Sequence, residues 1–206
     1  MTSVNDSAPD AAARDQALRQ WLARSGSARS ATIAAADRSA PLRASFGQRR
    51  LWAQDRADEV GGRRNIPLAW RLHGDLDTDA LFGALDLIVS RHEALRTSLH
   101  EHDAELWQTV QPPYPLERAV VPAGPDVARQ VDDFVYSPID LASGRLLRAL
   151  LVRVGPREHI LVLATVHLVL DDWTAGVLWT ELSTAYTALR AGDEPRLPAL
   201  AIQYPD

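Results

Sequence analysis

No cysteine occurs among the 206 residues. That one absence excludes disulfides, thiolate metal sites and a cysteine nucleophile together. Lysine is missing too, so all 22 basic side chains are arginines, a usage associated with GC-rich bacterial genes. No apolar run approaches the roughly 18 residues that a membrane span needs. The polar, acidic first ten residues lack the basic-then-apolar order of a signal peptide. The expected setting is therefore cytoplasmic, with no membrane partner. A basic excess is lacking as well: the net charge is −5, whereas binding nucleic acid calls for a cationic face, so no nucleic acid is expected. Neither a Gly-rich phosphate loop nor a zinc-ligand spacing is present, so no metal and no directly bound cofactor is expected. What remains is 46% hydrophobic and 24% charged, ordinary for a globular chain with one sizeable core.

Residues 1–10 are small and polar without periodicity and read as disordered. Over 11–24 an amphipathic stretch puts Leu18, Trp21 and Leu22 on one face. Residues 26–40 are rich in Ser, Ala and Arg and read as a linker ending before Pro41. The expected division is a flexible segment with a short helix and linker over 1–41, then a folded lobe over 42–206. In the lobe, Ser45 is a candidate N-cap for a helix carrying Phe46, Leu51 and Trp52. Gly61-Gly62 breaks the chain, and Ile66, Leu68, Trp70 and Leu72 then alternate as in a strand. The clearest helix spans 76–92, with Leu81, Leu85, Ile88 and Val89 at helical spacing behind Asp77 and Thr78. Two strands, 95–101 and 106–111, should form a hairpin across His102-Asp103-Ala104. A helix at 127–136 follows. Two long apolar strands, 145–154 and 159–170, join at Gly155-Pro156, and a helix covers 173–190. Strands interleaved with helices point to an α/β (α+β) layered sandwich, helices packed on a mixed β-sheet.

The strand 159–170 carries the most informative residues. It is apolar on both faces from Ile160 to Val166, as a central strand should be. It then runs Val166-His167-Leu168-Val169-Leu170-Asp171-Asp172-Trp173 into a helix. An imidazole at a strand exit is a reasonable general base, because histidine titrates near neutral pH. Two carboxylates at the helix start suit its positive end. By residue type alone, a lone histidine on an apolar strand is more often a hydrogen-bonded core residue, and Asp172 could simply cap the helix. Elsewhere, His92 and Glu93 at a helix end read as structural. His100 and His102 share a strand face but have no third ligand, and Trp52, Trp70 and Trp107 read as packing residues.

Around His167 the sequence resembles the condensation domains of nonribosomal peptide synthetases, members of the chloramphenicol acetyltransferase-like superfamily. Their signature is His-His-x-x-x-Asp-Gly; its second His matches His167 and its Asp matches Asp171. Trp173-Thr174-Ala175-Gly176-Val177-Leu178 resembles the family's Trp-Ser-x-Gly-x-Leu helix start. Ser45-Phe46-Gly47-Gln48-Arg49-Arg50-Leu51-Trp52 is similar to its first core motif. Arg91-His92-Glu93-Ala94-Leu95-Arg96-Thr97 is similar to its second. Asp140-Leu141-Ala142-Ser143-Gly144-Arg145-Leu146-Leu147-Arg148 and Ile202-Gln203-Tyr204-Pro205-Asp206 resemble two further stretches. Order and spacing agree from about Leu42 to the end.

The resemblance implies a chloramphenicol acetyltransferase-like fold of two lobes, of which this chain covers the N-terminal one and lacks the C-terminal one. It implies amide bond formation, an acyltransferase-type reaction, in secondary-metabolite and antibiotic biosynthesis. An aminoacyl thioester's amine attacks an acyl or peptidyl thioester, both held on phosphopantetheine arms. The implied partners are an upstream donor carrier protein and a downstream acceptor carrier protein. Because the chain opens with Met1, the donor is expected in trans, with residues 11–24 as a docking helix. His167 is the implied catalytic residue; Asp171 would organise the loop by ion pairing, with Arg96 a conceivable partner. Two positions depart from the signature: Val166 replaces the first His and Asp172 replaces the Gly. Val166 should face away from His167, since neighbouring strand residues alternate. Asp172 adds a charge where Gly can supply a close approach or positive φ. Degenerate relatives that recruit oxygenases also carry Asp-Asp, so the alternative expectation is a docking platform without turnover. An epimerisation module would need a second carboxylate from the other lobe.

Overall fold

The computed structural model describes residues 33–57 and 65–206. The expected helix at 11–24 and the Gly61-Gly62 break lie outside the described residues. The compact unit over 35–206 contains two sheets, where the sequence pattern suggests one. The larger has strand order β2-β7-β6-β5: β2 Asn65–His73, β7 Glu158–Val166, β6 Leu147–Gly155 and β5 Glu117–Pro122. Its first three strands run antiparallel and β5 joins β6 in parallel, so the sheet is mixed. The smaller, antiparallel sheet orders β1 Leu42–Arg43, β4 Glu105–Val110 and β3 Thr97–His102.

Among the described residues four α-helices flank the sheets: α1 Phe46–Arg56, α2 Thr78–Arg91, α3 Val127–Tyr136 and α4 Asp172–Ala191. Strand alternation sorts β6 and β7 onto two faces. Leu147, Ala149, Leu151, Leu161 and Leu163 pack against α2 and α4, with Leu85, Ile88, Leu178 and Leu182 opposite. Leu150, Val152 and Val162 turn to the other side and meet Val135, Val131 and Phe134 of α3. Three layers result, with β7 buried on both faces. A third cluster joins the small sheet to the exit of β7 through Ala44, Leu99, Leu106, Leu141, Val166 and Leu168.

The short motifs that carry the family resemblance are mostly fastenings. Ser45 caps α1 reciprocally with Gln48, satisfying two orphan donors of the first turn. The buried Gln48 amide also donates to Gln108 of β4 at 2.9 Å. Arg91 and His92 close α2 onto Glu181 of α4, with His92 Nε2 and Glu181 Oε2 2.6 Å apart. Gln203 donates to Arg91 O and accepts from Glu93 N. Asp206 accepts from Ala36 N and Arg38; backbone N–H donors, then the Arg38 side chain, hold its carboxyl at about 2.

Gly144 has φ +70, and a Cβ there would stand 2.8 Å from Gln111 Cγ and 3.3 Å from Arg96 O, so glycine is required on two counts. Arg148 is buried and donates to Ser137 Oγ, Ser137 O and Phe134 O, tying α3 to the sheet; burial lowers the guanidinium pKa.

Several boundaries differ from expectation. β7 stops at Val166 rather than 170, because residues 167–169 form a turn closed by Val169 N donating to Val166 O at 3.1 Å. β5 carries no sequence signal: as an edge strand it is exposed at five of its six positions and lacks apolar alternation. The hairpin turn is tighter than expected. Asp103 and Ala104 alone bridge β3 and β4, with φ of 51° and 61°, the left-handed pair of a two-residue turn.

Candidate functional site

The site grows from the end of β7. Apolar residues on both faces bury this strand through Val166, so the first residue past it emerges at the edge of the core. That residue, His167, is exposed. It forms part of the wall of a cleft of about 310 Å³. Leu51, Gln54 and Asp55 of α1, Asn65 and Ile66 opening β2, and Leu141 make up the other walls. Asn65 is held by donating to Val135 O and Ser137 O, both at 2.7 Å, so this wall is fixed by α3.

The imidazole is oriented by its own turn. His167 Nδ1 lies 3.0 Å from Leu170 O. A carbonyl oxygen can only accept, so Nδ1 carries the proton and the neutral ring presents the Nε2 lone pair. The sequence gives no cue to this partner, since every residue has a carbonyl; the turn brings it back onto the ring.

Asp171 is the N-cap of α4. Its carboxylate accepts from Thr174 N at 2.8 Å and from Thr174 Oγ1 at 2.6 Å. The Thr174 hydroxyl, its backbone N–H and, more weakly, His167 hold the Asp171 carboxyl below its usual range. The expected ion pair with Arg96 is not formed. Arg96 donates to Gln111 O at 2.6 Å and stands 3.9 Å from Glu93, because Gln111 is already paired with it through Gln111 N and Arg96 O and Glu93 precedes it by three residues in one 3-10 turn. Asp171 thus organises the loop by capping rather than by ion pairing.

Val166 is buried in the cluster beneath the small sheet, whereas His167 is exposed. The two do not part completely, since Val166 also lines the cleft. Asp172 is the first helical residue of α4, so its backbone is right-handed and the departure from Gly imposes no positive φ. Trp173 is 84% exposed. Gly176 is exposed on the same helix, and a Cβ there would meet nothing within 4 Å. Neither lines the His167 cleft. His100 and His102 are exposed on the hairpin, with His100 Nε2 2.9 Å from Ser98 Oγ. Among the described residues no group of acidic and histidine side chains could hold a metal, and no helix is long and apolar enough to cross a membrane.

The family model described as "Condensation domain" matches residues 40–206. The chain is 35% identical over 203 residues to a linear gramicidin synthase of Brevibacillus parabrevis, covering 92% of this chain and 4% of that protein. It is 39% identical over 162 residues to a probable non-canonical nonribosomal peptide synthetase, CymA, of Salinispora arenicola, covering 79% of this chain and 2% of that one. Among solved structures, the X-domain from teicoplanin biosynthesis in complex with OxyB superposes with a TM-score of 0.76 at 30% identity, over 83% of this chain and 38% of that one. The first condensation domain of the CDA synthetase gives 0.72 at 20% identity over 80% and 43%, a likeness of fold. The chain therefore belongs to the condensation-domain family and spans a few per cent of the synthetases it matches.

Proposed function

We propose that this chain contributes the His167 side of an amide-forming site in nonribosomal peptide synthesis. The observation carrying this reading is the exposed His167 on the cleft wall, with Nδ1 tied to Leu170 O and Nε2 without a hydrogen bond among the described residues. In the reaction, the α-amine of an aminoacyl thioester attacks the carbonyl carbon of an acyl or peptidyl thioester. The new C–N bond forms, Nε2 takes a proton from the attacking nitrogen, and the donor thiolate leaves as the tetrahedral intermediate collapses. A free α-amine has a pKa of about 8, so a sizeable fraction is already unprotonated near neutrality and little basicity is demanded. Tethering and alignment supply up to ~7–11 kcal/mol in favourable cases. A positioned base adds roughly 10²–10⁴-fold.

In this reading both substrates arrive on phosphopantetheine arms of an upstream and a downstream carrier, no cofactor binds the chain directly, and the setting is cytoplasmic. Residues 42–206 form the working lobe, to which Ala36 and Arg38 are also fastened through Asp206, and the residues before them help dock an upstream protein. The test is amide formation between two loaded carriers, in a protein that also supplies the remainder of the fold present in the solved relatives. His167→Ala should lower turnover by about 10²-fold or more. Unchanged turnover would discard the role.

Two observations favour a second reading, a docking platform without turnover. The X-domain is 30% identical to this chain and the CDA condensation domain 20%, and Asp172 occupies the signature's Gly position. That reading calls for binding of a carrier or tailoring enzyme, no amide product, and binding unaltered in His167→Ala.

A further inference from the structure

A second concavity of about 320 Å³ opens between β2 and α4, at the other end of the large sheet. Six residues at about 3.3 Å each separate Leu161 on its floor from His167, roughly 20 Å, so it is distinct from the cleft described above. Its volume lies at the lower end of small-molecule sites, about 300–1,000 Å³. Leu72, Leu161 and Leu182 make an apolar floor, and Trp179, stacked on Trp70 at 4.9 Å and 20°, makes a flat wall.

The rim is where the chemistry lies. Two of its charges are already neutralised: Arg71 is paired with Glu158, and Asp75 lies 3.3 Å from Arg157. Tyr186 accepts from Asp77 N. Left over are the Arg190 guanidinium, the Ser183 hydroxyl, the Trp179 indole N–H and the His73 ring, none with a side-chain hydrogen bond or ion pair among the described residues. Arg, Ser and Trp all donate, so the rim offers donors around one uncompensated positive charge. We propose that the pocket between β2 and α4 binds a small organic monoanion, a carboxylate on a flat apolar body, with the carboxylate on Arg190 and the body against Trp179.

The charge-assisted fork of an arginine favours a carboxylate over a neutral amide. The leucine floor favours an aryl group over a bare anion, because apolar area is what leaves water. Cations are opposed by Arg190.

Phenylacetate is the direct probe, titrated into the full chain while the indole resonance of Trp179 is followed and heat is measured. Saturable binding in the millimolar range or tighter, about −4 kcal/mol, is expected. Phenylacetamide should bind at least tenfold more weakly, and so should inorganic phosphate. Arg190→Gln, at an exposed site in the last turn of α4, should weaken phenylacetate about tenfold, and Ser183→Leu should fill the pocket and abolish binding. His167→Ala should leave the affinity unchanged. The proposal is overturned by an absent or non-saturable response, by equal affinity for the amide or for phosphate, or by an Arg190→Gln protein that binds as well as the parent.

Discussion

The body of β7 and the segment from His167 to Trp173 that follows it are held in different ways. From Leu161 to Val166 every residue is buried, Leu161 and Leu163 packing on one face and Val162 on the other. Past Val166 the chain turns, and His167, Asp171 and Trp173 are exposed. The His167 and Asp171 side chains are held by hydrogen bonds to the turn and the helix start, while Leu168 and Leu170 between them turn back inward and are buried. A central strand delivers a polar group to a defined place because its body cannot move. The group itself remains available because the strand stops one residue before it.

Substitutions on the two sides of Val166 should therefore differ in kind. Leu163 is fully buried in the core, so Leu163→Ala should cost ~3 kcal/mol, read as a lower midpoint in chemical denaturation. Equal loss from His167→Ala would erase the contrast. Gly144 tests the neighbouring loop: Gly144→Ala combines positive φ with a 2.8 Å contact and should cost about 2 kcal/mol in the same assay. The hairpin turn, which does not line the cleft, gives the opposite sign, since Ala104 sits at φ 61°. Ala104→Gly should stabilise by ~1 kcal/mol, with catalysis unaltered.

Acid should act on the exit segment before the strand. The Asp171 pKa is depressed in the folded chain. Its cap therefore contributes fully above the ordinary carboxylate value of about 3.9, and the contribution is lost as pH falls through the lower folded value. Amide exchange at Thr174 and Ala175 should accelerate in that window while Leu161 and Leu163 stay protected; simultaneous exposure would show the two regions to be one unit. The smallest stability effect belongs to His167→Ala, within about 0.5 kcal/mol as for other exposed positions, although its effect on turnover is the largest proposed.

Much of the scaffold was legible. Period-3.6 apolar spacing marked α2, with Asp77 as its cap. The boundaries 127–136 agree with α3, and alternation marked β2 over Ile66, Leu68, Trp70 and Leu72. The motifs Ser45 to Trp52, Arg91 to Thr97 and Ile202 to Asp206 were legible as family resemblance but not as fastenings, because their partners lie far along the chain: Gln48 with Gln108, His92 with Glu181, Arg38 with Asp206. The expected pairing of Arg96 with Asp171 fails for the same reason, since distance along the chain does not report which carboxylate is near.

The sequence by itself determined most of the elements and the family, since local periodicity, capping residues and short motifs are properties of neighbouring residues. Only the tertiary structure decided where β7 ends, which tautomer His167 presents and which walls face it. Those depend on a carbonyl returned by a turn, and on side chains from α1, β2 and the loop containing Leu141 that packing alone brings together.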